Sequence, residues 1–327
     1  MSERQYYEFR SVDRPLDSIE MRDLRKLSAS AVMTPESFVE SCPPEGFNGD
    51  SERLIAETFD AFVWVSNTGR RSLSFRVPQS VLDAETCRRY QTGSPLSLRA
   101  CGASLVLRFS AEDGAPVAQA EDSAWMPALL PVREGLLRGD LRCLYLSWLG
   151  AVQRASVADH QLEPPVPPGL DVLSPALKAF VDFLEIPRTL IEAAAQAKGP
   201  TPRTVGELRN AQYALEEELE RERQARMREQ RRLREAHEAE RRRKELQGLA
   251  GKEEETWDRI GELIDGKRPS DYDQAVLLLV DLHDLAAVTK TQSDFRFGLD
   301  VVREQHESKP SFLRRLVDAG LVEEDEA

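Results

Sequence analysis

The chain has 327 residues, 41 % hydrophobic and 31 % charged, and its 44 Lys and Arg against 57 Asp and Glu leave a net charge of -13. That length holds two compact domains and a connecting element, while a uniformly acidic surface would repel nucleic acid and anionic lipid. The polar start MSERQYYEFR has no secretory signal, the longest aliphatic run is only Val276 to Val280, and Cys42, Cys87, Cys101 and Cys143 lack metal-ligand spacing, so a cytoplasmic protein with reduced thiols and no membrane span is expected.

Tyr7 and Phe9 alternate with Glu8 and Arg10 over residues 5–12, which suits a half-buried strand. Asp17 and Glu20 have capping-box spacing, with Leu16 and Met21 placed for a hydrophobic staple, so a helix follows. A second helix is expected from Asp50, burying Leu54, Ile55 and Phe59. Phe62–Val65 and Leu73–Val77 flank Ser66-Asn67-Thr68-Gly69 and read as a hairpin, with Leu73, Phe75 and Val77 inward and Ser72, Ser74 and Arg76 outward. A short helix over Val81–Tyr90 precedes a second pair, Leu96–Ala100 and Leu105–Phe109, turning at Gly102. Residues 1 to about 115 therefore read as an α+β unit with an antiparallel sheet.

From Pro131, placed as a first helical residue, the pattern is helical, with Gly139 closing one helix and Leu141, Leu144, Tyr145, Trp148 and Val152 marking the next. EPPVPPG at Glu163–Gly169 predicts an extended, semi-rigid connection. Ser174-Pro175 opens another helix, and a further helical piece from Arg188 stops at Gly199-Pro200.

A long helix is expected over 204–250. Between Glu216 and Glu245, 21 residues are charged and none is Gly, Pro or β-branched. Glu-before-base pairs four apart, such as Glu217–Arg221 and Glu222–Arg226, each add ~0.2–0.5 kcal/mol to such a helix. A heptad frame from Val205 gives a candidate dimer seam of Val205, Leu208, Leu215 and Leu219 before charge breaks it. Beyond Gly251, apolar stripes at Trp257–Ile264, Ala275–Ala286, Phe295–Val302 and Phe312–Val317 predict a small helical bundle.

Chemical motifs are sparse. GELIDGK at Gly261–Lys267 has phosphate-loop spacing, but a helical stripe precedes it and no Ser or Thr follows the Lys, so it reads as a helix ending at Gly266. His237-Glu238 matches half of a zinc-protease helix, with Arg241 where the second ligand belongs. His283, between Asp281 and Asp284, reads as a structural histidine near the bundle core. Arg231, Arg232, Arg241, Arg242, Arg243 and Lys244 are candidate phosphate contacts, although interleaved acids and the lack of aromatics favour a solvated face.

YYEF at Tyr6–Phe9, DRPL at Asp13–Leu16, FDA at Phe59–Ala61, EPPVPPGL at Glu163–Leu170, YDQAVLLLVDLHDLA at Tyr272–Ala286 and KPSFLRRLVDAGL at Lys309–Leu321 resemble a group of uncharacterised bacterial proteins. The resemblance implies a bacterial, cytoplasmic setting and carries no catalytic residue.

The expected layout is an α+β domain over 1–162, a Pro-rich linker over 163–170, a helical extension over 171–200, a long charged single helix or weak coiled coil over 204–250, a C-terminal helical bundle over 253–322 and an acidic tail over 323–327. The functional expectation is a non-enzymatic adaptor or scaffold, without cofactor or metal. It would bind protein partners, and the charged helix would act as spacer or weak homodimerisation element. Two alternatives stand beside it: an accessory factor contacting nucleic acid through the Arg-rich helix, and an enzyme with an unrecognised site in the α+β domain.

Overall fold

The computed structural model describes residues 4–42, 47, 49–92, 95–112, 124–196, 202–266 and 268–323. The chain divides into two compact units, Met1–Glu220 and Arg221–Ala327.

The first unit is built on seven strands: β1 (Gln5–Arg10), β2 (Val32–Thr34), β3 (Ser37–Cys42), β4 (Ala61–Ser66), β5 (Arg71–Pro78), β6 (Leu96–Cys101) and β7 (Ser104–Ala111). They form one antiparallel sheet in the order β2-β3-β1-β4-β5-β7-β6. The first strand in sequence lies inside the sheet because both its edges are paired: Phe9 stands opposite Phe38 on one side and Phe62 on the other. The Phe9 and Phe62 rings stack with centroids 4.3 Å apart. Both hairpins read in the sequence are present, and Gly102, with φ +60°, supplies the left-handed turn residue between β6 and β7. The β2–β3 hairpin had no expected counterpart. Its first strand, β2, is a three-residue edge, too short to show a period in the sequence.

Helices cover both faces of this sheet. On one, α1 (Ser18–Leu27) and α2 (Ser51–Glu57) enclose Phe9, Phe38, Phe59 and Phe62. The expected capping box is formed, since Asp17 accepts from the Glu20 backbone while the Glu20 side chain accepts from the Asp17 N–H. A short α3 (Ala84–Arg88) follows β5. On the other face lie α4 (Trp125–Leu137), α5 (Arg142–Gln153), α6 (Pro175–Leu184) and α7 (Arg188–Ala195), over Val63, Leu73, Phe75, Leu107 and Phe109. Ser72 and Ser74, expected to face water, are therefore buried.

Pro131 does not open α4 but sits inside it. Met126, Leu129, Val132 and Leu136 are all buried along one stripe. Burying that stripe outweighs the ~3 kcal/mol that an interior proline costs a helix.

The segment 163–170 is likewise not a linker between bodies. Glu163 is buried against Tyr145 and Arg203, the Tyr90 hydroxyl donates to the Pro165 carbonyl at 3.0 Å, and Leu170 joins the core. The regions expected as 1–162, 163–170 and 171–200 thus belong to one compact unit. Gly199-Pro200 lies outside the described residues.

Helix α8 runs unbroken from Val205 to Leu249, 45 residues. Thr204 and Glu207 open it with a second capping box: the Thr204 N–H donates to Glu207 Oε2 at 2.7 Å and the Glu207 N–H to Thr204 Oγ1 at 3.2 Å. In the second unit α8 continues from Arg221, followed by α9 (Glu253–Asp265), α10 (Pro269–Thr289), α11 (Gln292–Gln305) and α12 (Pro310–Asp318). The last four surround Ile260, Ile264, Leu279, Leu299, Phe312 and Leu316. Gly298 lets α11 approach α9 closely, because a Cβ there would lie 2.8 Å from the Trp257 ring. Helix α9 ends at Asp265 with Gly266 as its cap, so the phosphate-loop spacing of Gly261–Lys267 falls on a helix and its end. Lys267 and residues 324–327 of the acidic tail lie outside the described residues.

Candidate interaction helix

The residues of α8 fall into three groups by burial. At its start Val205 and Leu208 are 0 % exposed and belong to the core of the first unit. Arg203, just before them, anchors this end. It donates Nε to Glu163 Oε2 at 2.6 Å, and its Nη atoms donate to the Ala193 and Ala194 carbonyls at 2.9 and 3.1 Å. Arg209 donates to the Val152 carbonyl at 2.9 Å and pairs with Asp159. Half of the expected dimer seam is therefore consumed inside the chain. Val205 and Leu208 cannot face a second copy, while Leu215 is half-buried and Leu219 is 44 % exposed.

From Glu217 to Arg241 every residue is exposed, including Met227 at 61 % and Leu233 at 59 %. The helix is held here by pairs along its own surface: Arg226 with Glu222 at 3.1 Å, Arg231 with Glu235 at 2.7 Å, and Lys244 with Glu240 at 2.8 Å. Charge is unevenly spread along it. Glu216–Glu222 holds five Glu and one Arg, whereas Arg223–Arg234 holds six Arg and one Glu.

The third group returns to a packed environment. Leu246 is buried, and the Arg242 guanidinium bridges two carboxylates three residues apart on α10, meeting Asp281 at 2.5 Å and Asp284 at 2.7 Å. This holds the Asp284 carboxyl below its ordinary value, chiefly through the Arg242 hydrogen bond.

Of the six candidate phosphate contacts, Arg242 is thus committed to two carboxylates. Arg231, Arg232, Arg241 and Lys244 pair with Glu235, Glu229, Glu245 and Glu240 on the helix surface. Arg243 is exposed and has no ion pair among the described residues. His237 also stands on the exposed stretch. His283 is exposed rather than near the core, its ring edge-on to Phe295 at 5.4 Å.

Two buried charge clusters in the first unit had no sequence signal, because their members are far apart in the chain. In one, Glu163 accepts from Tyr145 and Arg203. Burial, reinforced by the neighbouring Glu163 charge, pushes the Tyr145 phenol well up. In the other, Asp60 accepts from the Val12 and Asp13 N–H groups at 2.7 and 2.9 Å and from Arg76 at 2.7 Å. Arg133 donates to both oxygens of Asp13. Both clusters join secondary elements that lie far apart in the chain.

A cleft of about 520 Å³ in the first unit lies along α6 and α7 over Leu170, Val181 and Ile191, with Lys178, Asp182, Arg188 and Glu192 at its sides. It holds no cysteine or histidine. Burial pushes the Cys87 thiol up to about 12 and raises that of Cys143 as well, so neither is an activated thiolate. The Cys42 side chain lies outside the described residues. Among the described residues no group of three or more His, Cys, Asp or Glu side chains is placed to hold a metal ion, and no helix is long and apolar enough to cross a membrane. No protein-family model, curated protein or solved structure matches the chain.

Proposed function

We propose that the protein is an adaptor or scaffold that binds other macromolecules, with α8 as the spacer and docking element. The observation that carries this reading is the exposed stretch Glu217–Arg241 on a helix anchored in packing at both its ends. A helix with no intramolecular apolar cover is maintained when its surface serves something outside the chain or sets a distance. The apolar residues it leaves in water, Leu219, Met227 and Leu233, suit contact with a protein.

Affinity purification of the tagged full-length protein from its host tests this. A companion recovered in near-equal amount, and lost in a Leu219→Glu, Met227→Glu, Leu233→Glu variant of unchanged helix content, is the expected result. Recovery of no companion, or equal recovery by the variant, contradicts it.

A second reading, contact with nucleic acid, is favoured by the net positive charge of Arg223–Arg234 in full exposure. It requires binding that falls steeply between 50 and 200 mM salt, on the order of tenfold or more for several phosphate contacts. Absence of retention at 50 mM salt removes it.

A further inference from the structure

We propose that the exposed part of α8 pairs antiparallel with the same stretch of a second copy of this chain. The inference rests on the adaptor reading and names one of its partners.

Leu215, Leu219, Glu222, Arg226, Glu229 and Leu233 follow one another at alternating spacings of four and three, so they stand along one stripe of α8. Leu219 is 44 % and Leu233 59 % exposed, and the charged members between them are exposed too. Among the described residues, Leu215 is half-buried and every later member of the stripe is exposed.

The charge distribution selects the orientation. The acidic run Glu216–Glu222 precedes the basic run Arg223–Arg234. A parallel pair would set acid against acid and base against base. An antiparallel pair sets the acidic run of each chain against the basic run of the other. These groups would lie well within a Debye length of about 8 Å at physiological salt, so the difference between the two orientations is not screened away.

The stripe also fixes a register. With Leu215 opposite Leu233 of the second copy, Glu222 falls opposite Arg226 and Leu219 beside the aliphatic part of Glu229. On the flank, Glu218 falls opposite Arg232 of the second copy. Each contact occurs twice by symmetry. The one unfavourable contact is Arg223 with its own counterpart, at the centre. Leu215 to Leu233 spans roughly 27 Å at ~1.5 Å per residue, between two and three heptads. Such a short, charge-interrupted seam gives a reversible pair and an equilibrium that responds to salt.

Sedimentation equilibrium of the full-length chain from 5 to 200 µM, at 50 and 500 mM salt, tests the association. A monomer–dimer equilibrium at 50 mM, weakened at least fivefold at 500 mM, is expected. Arg226→Glu alone should abolish it, and Glu222→Arg together with Arg226→Glu should restore it, because the swapped pair is again complementary in the antiparallel arrangement. Oxidation of a Glu218→Cys chain mixed with an Arg232→Cys chain tests the register through side chains that α8 exposes. A disulfide-linked heterodimer is expected, with little linkage when Arg232→Cys is oxidised alone. A strict monomer at 200 µM and 50 mM salt, or an association indifferent to both Arg226→Glu and the swap, overturns the proposal. A monomer that still recovers a companion protein sinks the pairing alone and leaves the adaptor reading standing.

Discussion

Arg203 and Glu163 form a hydrogen-bonded ion pair across forty residues of sequence, Nε to Oε2 at 2.6 Å, with Glu163 buried beneath it. The contact ties the proline-rich segment to the residue from which α8 departs. The Arg203 guanidinium also closes the last carbonyls of α7, so one side chain joins three stretches of chain.

Arg203→Ala should lower the stability of the first unit by about 3 kcal/mol, since removing one partner leaves a buried carboxylate without its cation. Tyr145→Phe removes one hydrogen bond while keeping the cation and should cost less, about 1–2 kcal/mol. Urea denaturation of the two variants checks the order. Equal losses would mean that the ion pair adds nothing beyond the phenol contact.

Asp60 should make the same unit acid-sensitive. Its burial alone would raise the carboxyl, but the Asp13 and Val12 N–H groups and Arg76 outweigh it and hold the group below its ordinary value. Glu20, hydrogen-bonded by Arg14, is lowered to about 2. A carboxylate so lowered contributes its full stability above the unfolded-state value near 4, and loses it as pH falls from there through the lower folded value. Asp60→Asn should therefore be less stable than the unaltered protein at pH 7, with the gap narrowing between pH 4 and pH 2. Thermal melts across that range decide it, and a gap independent of pH would remove the charge from the explanation.

Gly298→Ala should disturb the second unit. The added methyl group would press on the Trp257 ring at 2.8 Å, nearer than a Cβ contact allows. A loss of about 1–3 kcal/mol is expected for such overpacking, with a change in tryptophan emission. An unaltered melting curve would show that the two helices part without penalty.

The sheet hairpins, the capping box at Asp17 and the four bundle stripes were legible because each is written in local periodicity or spacing. The placement of β1 between β3 and β4 was not. It depends on which strands Phe9 meets, and no local pattern carries that. Ser72 and Ser74 misled for a related reason: alternation marks a sheet face, and only the packing of α2 showed that the second face is covered too. Proline misled twice. At Pro131 a buried stripe outweighed a missing N–H, and at Glu163–Gly169 the stiff segment became a packed strap once Glu163 found Tyr145 and Arg203. The long helix is legible in composition, because Glu216–Glu245 is densely charged and free of Gly, Pro and β-branched residues. The heptad frame could not show that Val205 and Leu208 belong to the core, because an intramolecular and an intermolecular apolar seam look alike in sequence.

Arg242 offers a check on the last turns of α8. Arg242→Ala should raise amide hydrogen exchange over Glu240–Leu249, and 1 M salt should do so partly in the unaltered protein, because the Asp281 and Asp284 contacts are half-exposed and screened. Unchanged protection in the variant would show that Leu246 alone holds this end.

An unbroken α8 whose residues from Glu217 to Arg241 are exposed underlies both the spacer and the antiparallel seam. Backbone 13Cα chemical shifts of the full-length chain over Arg221–Glu240 test that most directly. Helical shifts at every residue of the stretch are the expected result. Random-coil shifts over one or more turns within it would contradict the account, since neither a spacer nor an antiparallel seam could then exist.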